Sequence, residues 1–70
     1  MDKMVDARGL LCPEPVLMAK RAIDKMPGGT VKVMVDNSAA RENVTRMAEN
    51  SGWSVSVSAE GTVYIITLKR

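Results

Sequence analysis

Apolar residues recur along this chain with two different periods, and the switch from one to the other predicts six elements. Residues 3–6, "KMVD", read as a short first strand, and 7–12, "ARGLLC", as the loop that leaves it. From Pro13 the period becomes helical. Pro13 and Pro15 suit a first turn, where the amide hydrogens have no intrahelical acceptor. Val16, Ala19, Ile23 and Met26 then form one apolar stripe, with Lys20, Arg21, Asp24 and Lys25 mostly on other faces. "PGG" at 27–29 stops this helix. Residues 30–36 alternate as a strand, with Val31, Val33 and Val35 on one face and Met34 making the second face partly apolar.

"DNS" at 36–38 offers N-cap residues, with Ser38 the expected cap. Ala40, Val44, Met47 and Ala48 recur at i, i+4, i+7 and i+8, and Gly52 ends the second helix. Residues 53–59 alternate strictly, Glu60-Gly61 makes a tight turn, and 62–69 return as the last strand. The order is β-α-β-α-β-β. Two helices with one apolar stripe each must cover one face of a sheet. The expected fold is therefore α+β: a two-layer α/β sandwich of a four-stranded mixed sheet with two helices on one face. Strands 3 and 4 form a hairpin, and Ser54, Ser56 and Ser58 face water. The sequence, 1–70, reads as a single domain with no repeat or linker.

Composition narrows the function classes. At 70 residues, 46% hydrophobic and 26% charged, the chain reads as a small globular domain. With no Phe, one Trp and one Tyr, valines and the six methionines are expected to fill the core. A net charge of +2 falls short of the dense basic stripe of a nucleic-acid binder. No apolar run reaches the ~20 residues of a membrane span, and the charged start "MDKMVDARG" is unlike a signal peptide. A cytoplasmic location, with neither membrane nor nucleic acid as partner, is the expectation. There is no histidine and a single cysteine. That excludes an internal disulfide, Cys–His and Ser–His–Asp catalysis within one chain, and the usual Cys/His zinc site. No metal and no cofactor are expected.

The remaining chemistry centres on Cys12, in "GLLCPEPVLMAKRA" (9–22). If Pro13 is the first helical residue, the thiol sits at the helix N-terminus. Unpaired amides and the positive end of the helix dipole there favour thiolate. Pro13 and Pro15 stiffen the turn. Glu14 opposes thiolate formation, and Lys20 and Arg21, two turns on, partly offset it. The competing reading makes Cys12 a small buried hydrophobe beside Leu10 and Leu11. Position alone leaves both open.

The stretch "DARGLLCPEPVLMAKRAI" (6–23) resembles the TusA/SirA/YedF family of small sulfur carriers, whose hallmark is a C-P-x-P motif opening the first helix. The likeness continues through "PGGTVKVMVDNSAARENVTRMAENSGW" to the end of the chain, and is closest to the YedF N-terminal domain. The resemblance implies that Cys12 accepts sulfane sulfur as a persulfide and relays it to another protein's thiol. Gly9, Pro13, Glu14 and Pro15 form the surrounding motif. The implied donor is a cysteine desulfurase or another sulfur source, and the implied recipient a downstream thiol acceptor protein. Such a protein resembles a sulfurtransferase in chemistry while acting as a carrier rather than a stand-alone turnover enzyme. YedF-like relatives are linked to selenium metabolism and often carry a second, DsrE-like domain, so the chain is either a stand-alone member or one domain of a longer protein.

The residues themselves agree with a relay. Transfer needs one accessible thiolate, and a second nearby cysteine would resolve the persulfide into a disulfide. Lys20, Arg21 and Arg41 are candidates for a partner-docking patch, against the plainer reading that they are solvated helix charges. Asp6 and Asn37, at strand ends, are candidates for shaping the surroundings of Cys12, against the preferred reading that side-chain-to-backbone turn bonding accounts for both. Trp53 is expected as a partly buried plug, and the methionines as core. A thiol-based regulatory or redox interaction protein and a selenium carrier remain alternatives. A nucleic-acid module is a third, weakened by the modest charge.

Overall fold

In the computed structural model, which describes residues 2–10 and 14–70, six elements follow one another: β1 (Asp2–Asp6), α1 (Glu14–Asp24), β2 (Thr30–Val35), α2 (Ser38–Asn50), β3 (Ser54–Glu60) and β4 (Val63–Lys69). The strands form one mixed sheet in the order β1-β2-β4-β3. β1 runs parallel to β2, while β4 is antiparallel to both β2 and β3. The expected α+β sandwich is what forms, because each helix is a crossover that must return its apolar stripe to the same face of the sheet.

The period-2 pattern decides which residues meet the helices. Val31, Val33 and Val35 point inward from β2, paired across β4 with Leu68, Ile66 and Tyr64. All three valines, with Ile66 and Leu68, are fully buried. They pack with Ala19, Ala22 and Ile23 of α1 and Ala40, Val44 and Ala48 of α2. Burying one such valine, leucine or isoleucine side chain stabilises the fold by about 1.5–3 kcal/mol. The small alanines let the helices sit close to the sheet. Pro15 is also buried within α1, where its missing N–H leaves no helical bond unmade.

Several details differ from the sequence reading. The N-cap of α2 is Asn37, not Ser38. Asn37 is extended (φ −148°, ψ 155°), and its Oδ1 accepts the Ala40 N–H at 2.7 Å. Ser38 is already helical, one residue too late to cap. Trp53 is 4% exposed, a fully buried plug rather than a partial one. Its N–H donates to the Ala48 carbonyl while the Gly52 N–H donates to Glu49. With Gly52 at φ +84°, this is a Schellman ending, and it drives the indole back under the helix. The hairpin turn is Gly61-Thr62, one residue later than Glu60-Gly61, because Glu60 still pairs with Val63. Not all the methionines are core. Met26 is buried, and Met18 and Met47 pack on the core's rim, but Met4 is 61% exposed and Met34 half-buried. The pleat sends those two to the open face of the sheet. Ser54, Ser56 and Ser58 are exposed as expected.

Asn37→Ala should lower the unfolding free energy by about 1 kcal/mol and Ser38→Ala should leave it almost unchanged. Urea denaturation of the two variants checks the assignment of the cap.

Candidate functional site

Parallel pairing of β1 with β2 brings the C-terminal ends of both strands to one pole of the sheet, and α1 and α2 both start there. Met34 pairs with Asp6, and the ladder runs one residue further through the Ala7 N–H to the Met34 carbonyl at 2.9 Å. The chain then turns through Arg8 and Gly9 toward Leu10. Leu11, Cys12 and Pro13 lie outside the described residues, so the expected placement of Cys12 and Pro13 at the helix mouth does too. Glu14 and Pro15, the other motif residues, lie in the first turn of α1, exposed and buried respectively.

Two carboxylates hold the approach to the motif. Asp6 folds back on Arg8: Oδ1 accepts the Arg8 backbone N–H at 3.1 Å and Nε at 2.9 Å, and Oδ2 accepts Nη2 at 2.8 Å. Such a fork fixes the guanidinium's orientation. Both side chains are about half exposed, so the pair sets geometry more than stability. The side-chain and backbone hydrogen bonds from Arg8, with its charge, lower the Asp6 carboxyl to about 2 and raise the Arg8 guanidinium above its ordinary value. Asp36 acts across a much longer span. Its Oδ2 accepts the Gly9 N–H at 2.8 Å, joining residues 27 apart.

Gly9 makes that contact with φ +77°. A Cβ there would meet no described atom within 4 Å. The demand for glycine is therefore one of backbone conformation, not of space. Asp6, Arg8, Gly9, Leu10 and Asp36 line an open, shallow basin. A surface of this shape receives another macromolecule's side chain more readily than it encloses a small substrate.

The three candidate docking cations are not gathered in one cleft. Lys20 pairs with Asp24 one turn along α1 at 3.4 Å. Arg21 lines the cleft between α1 and β1 with Lys3, Met4, Met18 and Lys25. Arg41, in the first turn of α2, lies 5.0 Å above the Tyr64 ring centre and 3.6 Å from Glu42, and lines a separate cleft beside Val57 of β3. Sequence reading did not single out Arg8, Asp36 or Leu17. Asp-x-Arg spacing is a local signal that could have revealed the Asp6–Arg8 fork. Asp36 had none, since its partner depends on the β1–β2 register. Leu17 is 41% exposed one turn into α1 and interrupts the otherwise charged outer face of that helix. Among the described residues no cluster of His, Cys, Asp and Glu is placed to hold a metal ion, and no helix is long and apolar enough to cross a membrane.

Fold and site together define a small α+β protein whose described residues 7–10 form a loop tied by hydrogen bonds to the ends of β1 and β2. Comparison with known proteins narrows this class. A family model described as Sulfurtransferase TusA matches residues 3–70. A protein of Methanocaldococcus jannaschii named for sulfur carriage is 39% identical over 59 residues, covering 83% of this chain and 79% of that protein. The sulfur carrier protein TusA of Pseudomonas aeruginosa is 38% identical over 47 residues, 66% of this chain and 60% of its own length. The crystal structure of a SirA-like protein from Desulfitobacterium hafniense superposes with a TM-score of 0.91 at 36% identity, covering 96% of this chain and 95% of that one. The chain belongs to the TusA sulfurtransferase family. Its function is accordingly that of a sulfur carrier, and its partners are in general kind sulfur donors and sulfur acceptors.

The Asp6 pairing makes a pH-dependent signature. A depressed folded-state carboxyl contributes stability that is complete above the ordinary carboxylate range and lost as pH falls toward the folded value. In carbon-detected NMR titration, the Asp6 carboxyl should titrate near 2 in the native chain and return toward about 3.9 in Arg8→Ala. An unchanged Asp6 in the variant would show that the fork is not its cause.

Proposed function

We propose that Cys12 is the sulfur-carrying residue. Its thiolate attacks the outer sulfur of a donor persulfide; the donor's S–S bond breaks, the donor leaves as a thiolate, and Cys12 becomes a persulfide. An acceptor thiolate then attacks that outer sulfur and Cys12 is released as a thiolate. Sulfur moves at the same oxidation level throughout, so neither half needs an external oxidant or reductant. The observation that carries the assignment is the family match across residues 3–70 of a chain with one cysteine, set in the C-P-x-P motif. With no histidine in the chain, any proton the exchange requires is handled by the partner or by solvent.

The donor in this reading is a cysteine desulfurase or another sulfur donor and the recipient a thiol of a downstream acceptor protein, meeting the carrier in turn in the cytoplasm. Gly9, Pro13, Glu14 and Pro15 shape the presenting turn. Lys20, Arg21 and Arg41 steer the charged approach of partners from different sides. Leu17 adds an apolar contact beside the motif. An open basin suits this use, since two unlike partners must reach the same atom in succession.

Incubation with a cysteine desulfurase and cysteine should raise the intact mass of the protein by one sulfur atom, and reductant should reverse the gain. Cys12→Ser should gain nothing. Equal gain in that variant, or none in the native protein, overturns the assignment.

A further inference from the structure

The carboxylate at the end of β2 has a place in the site that neither the motif nor the family description gives it. Asp36 follows the last residue of β2 and precedes Asn37, the N-cap of α2. Its Oδ2 reaches across the pole of the sheet to the Gly9 N–H at 2.8 Å. Gly9 is three residues before Cys12 in sequence. Around it, Ala7 is fixed to Met34 at 2.9 Å and Arg8 is locked to Asp6. The Leu10 N–H reaches the Ala7 carbonyl only at 3.4 Å. Among the described contacts, the Asp36 bond is thus the last short tie between the body of the protein and the chain entering the motif.

From this we infer that Asp36 is a positioning residue for Cys12: its carboxylate clasps the amide of Gly9, three residues earlier in the chain, and ties that residue to the end of β2. A charged acceptor strengthens such a bond and shortens it. The clasp is also rigidly mounted. Val35, immediately before it, is fully buried, and Asn37, immediately after it, is occupied in capping Ala40 at 2.7 Å. Gly9 can present its N–H to Asp36 because it adopts φ +77°, which ties the motif glycine and the carboxylate into one device. The inference rests on the sulfur-carrier reading for its purpose and on the Gly9–Asp36 bond for its content.

Through-space charge is the rival explanation for any effect of Asp36, and the two differ in what asparagine does. Asparagine keeps an oxygen acceptor but removes the negative charge. Three forms of the full chain, native, Asp36→Ala and Asp36→Asn, would be compared by alkylation of Cys12 with iodoacetamide at neutral pH, with circular dichroism confirming the fold. The clasp requires Asp36→Ala to react at least about threefold more slowly and Asp36→Asn to recover to within about twofold of native. The Gly9 amide should exchange with solvent about tenfold faster in Asp36→Ala only. Acceleration in both variants would mean that the charge acts on the thiol, and unchanged reactivity in both would mean that the loop needs no clasp; either result overturns the inference. Loading by a desulfurase then adds a second readout, in which Asp36→Ala should lower the maximal rate and leave the half-saturating carrier concentration unchanged. A raised half-saturation with an unchanged maximum would make Asp36 a docking contact instead. Should the native protein take up no sulfur, the relay assignment fails while alkylation and amide exchange still decide the clasp.

Discussion

Strand β2 is the member on which the rest of the molecule depends. It lies between β1 and β4, parallel to one and antiparallel to the other. Its Val31, Val33 and Val35 have no solvent exposure, so any slip of one residue in its register would turn three valines outward and Lys32 and Met34 inward. That penalty fixes the register of both neighbours. The end of β2 consequently arrives at a set place, with Asp36 beside Gly9 and Asn37 at the start of α2. The hydrophobic demand of the core and the anchoring of the loop that follows β1 are set by one strand.

A carrier differs from an enzyme in what its scaffold must do. It must present one atom repeatedly in one attitude, since orientation of the reacting groups is a large share of any transfer rate. The polar contacts at this pole fit that task. Asp6, Arg8 and Asp36 are exposed or nearly so and add little to folding stability. They restrain a stretch of backbone that has no regular secondary structure to restrain it. Arg8 in particular is committed to Asp6.

Sequence periodicity revealed all six elements and both apolar faces, because Val31, Val33 and Val35 of β2 and Ile66 and Leu68 of β4 leave no second choice of buried side. What it misplaced were end effects. Whether Asn37 or Ser38 caps α2 depends on where the backbone first turns helical, and the hairpin turn moved by one residue for a similar reason. The methionines were assigned to the core by composition, yet Met4 and Met34 alternate with inward valines and so face out. Of the site, the C-P-x-P motif is visible in local spacing, while Cys12 and Pro13 lie outside the described residues. Asp36 was not legible, because a bond between residues 27 apart exists only once two strands have paired, and no short-range pattern encodes it.

Strand direction also decides where the chain's ends leave the molecule. Asp2 and Lys69 both pair with Thr30, and Arg70 exchanges two backbone bonds with Gly29, at 3.0 and 3.1 Å. Both described ends therefore lie at the foot of the sheet, across its length from the Gly9–Asp36 bond. A purification handle, a surface linkage or a fused fluorophore attached beside Asp2 or Arg70 would project from that foot, leaving the Asp6–Leu10 loop unobstructed.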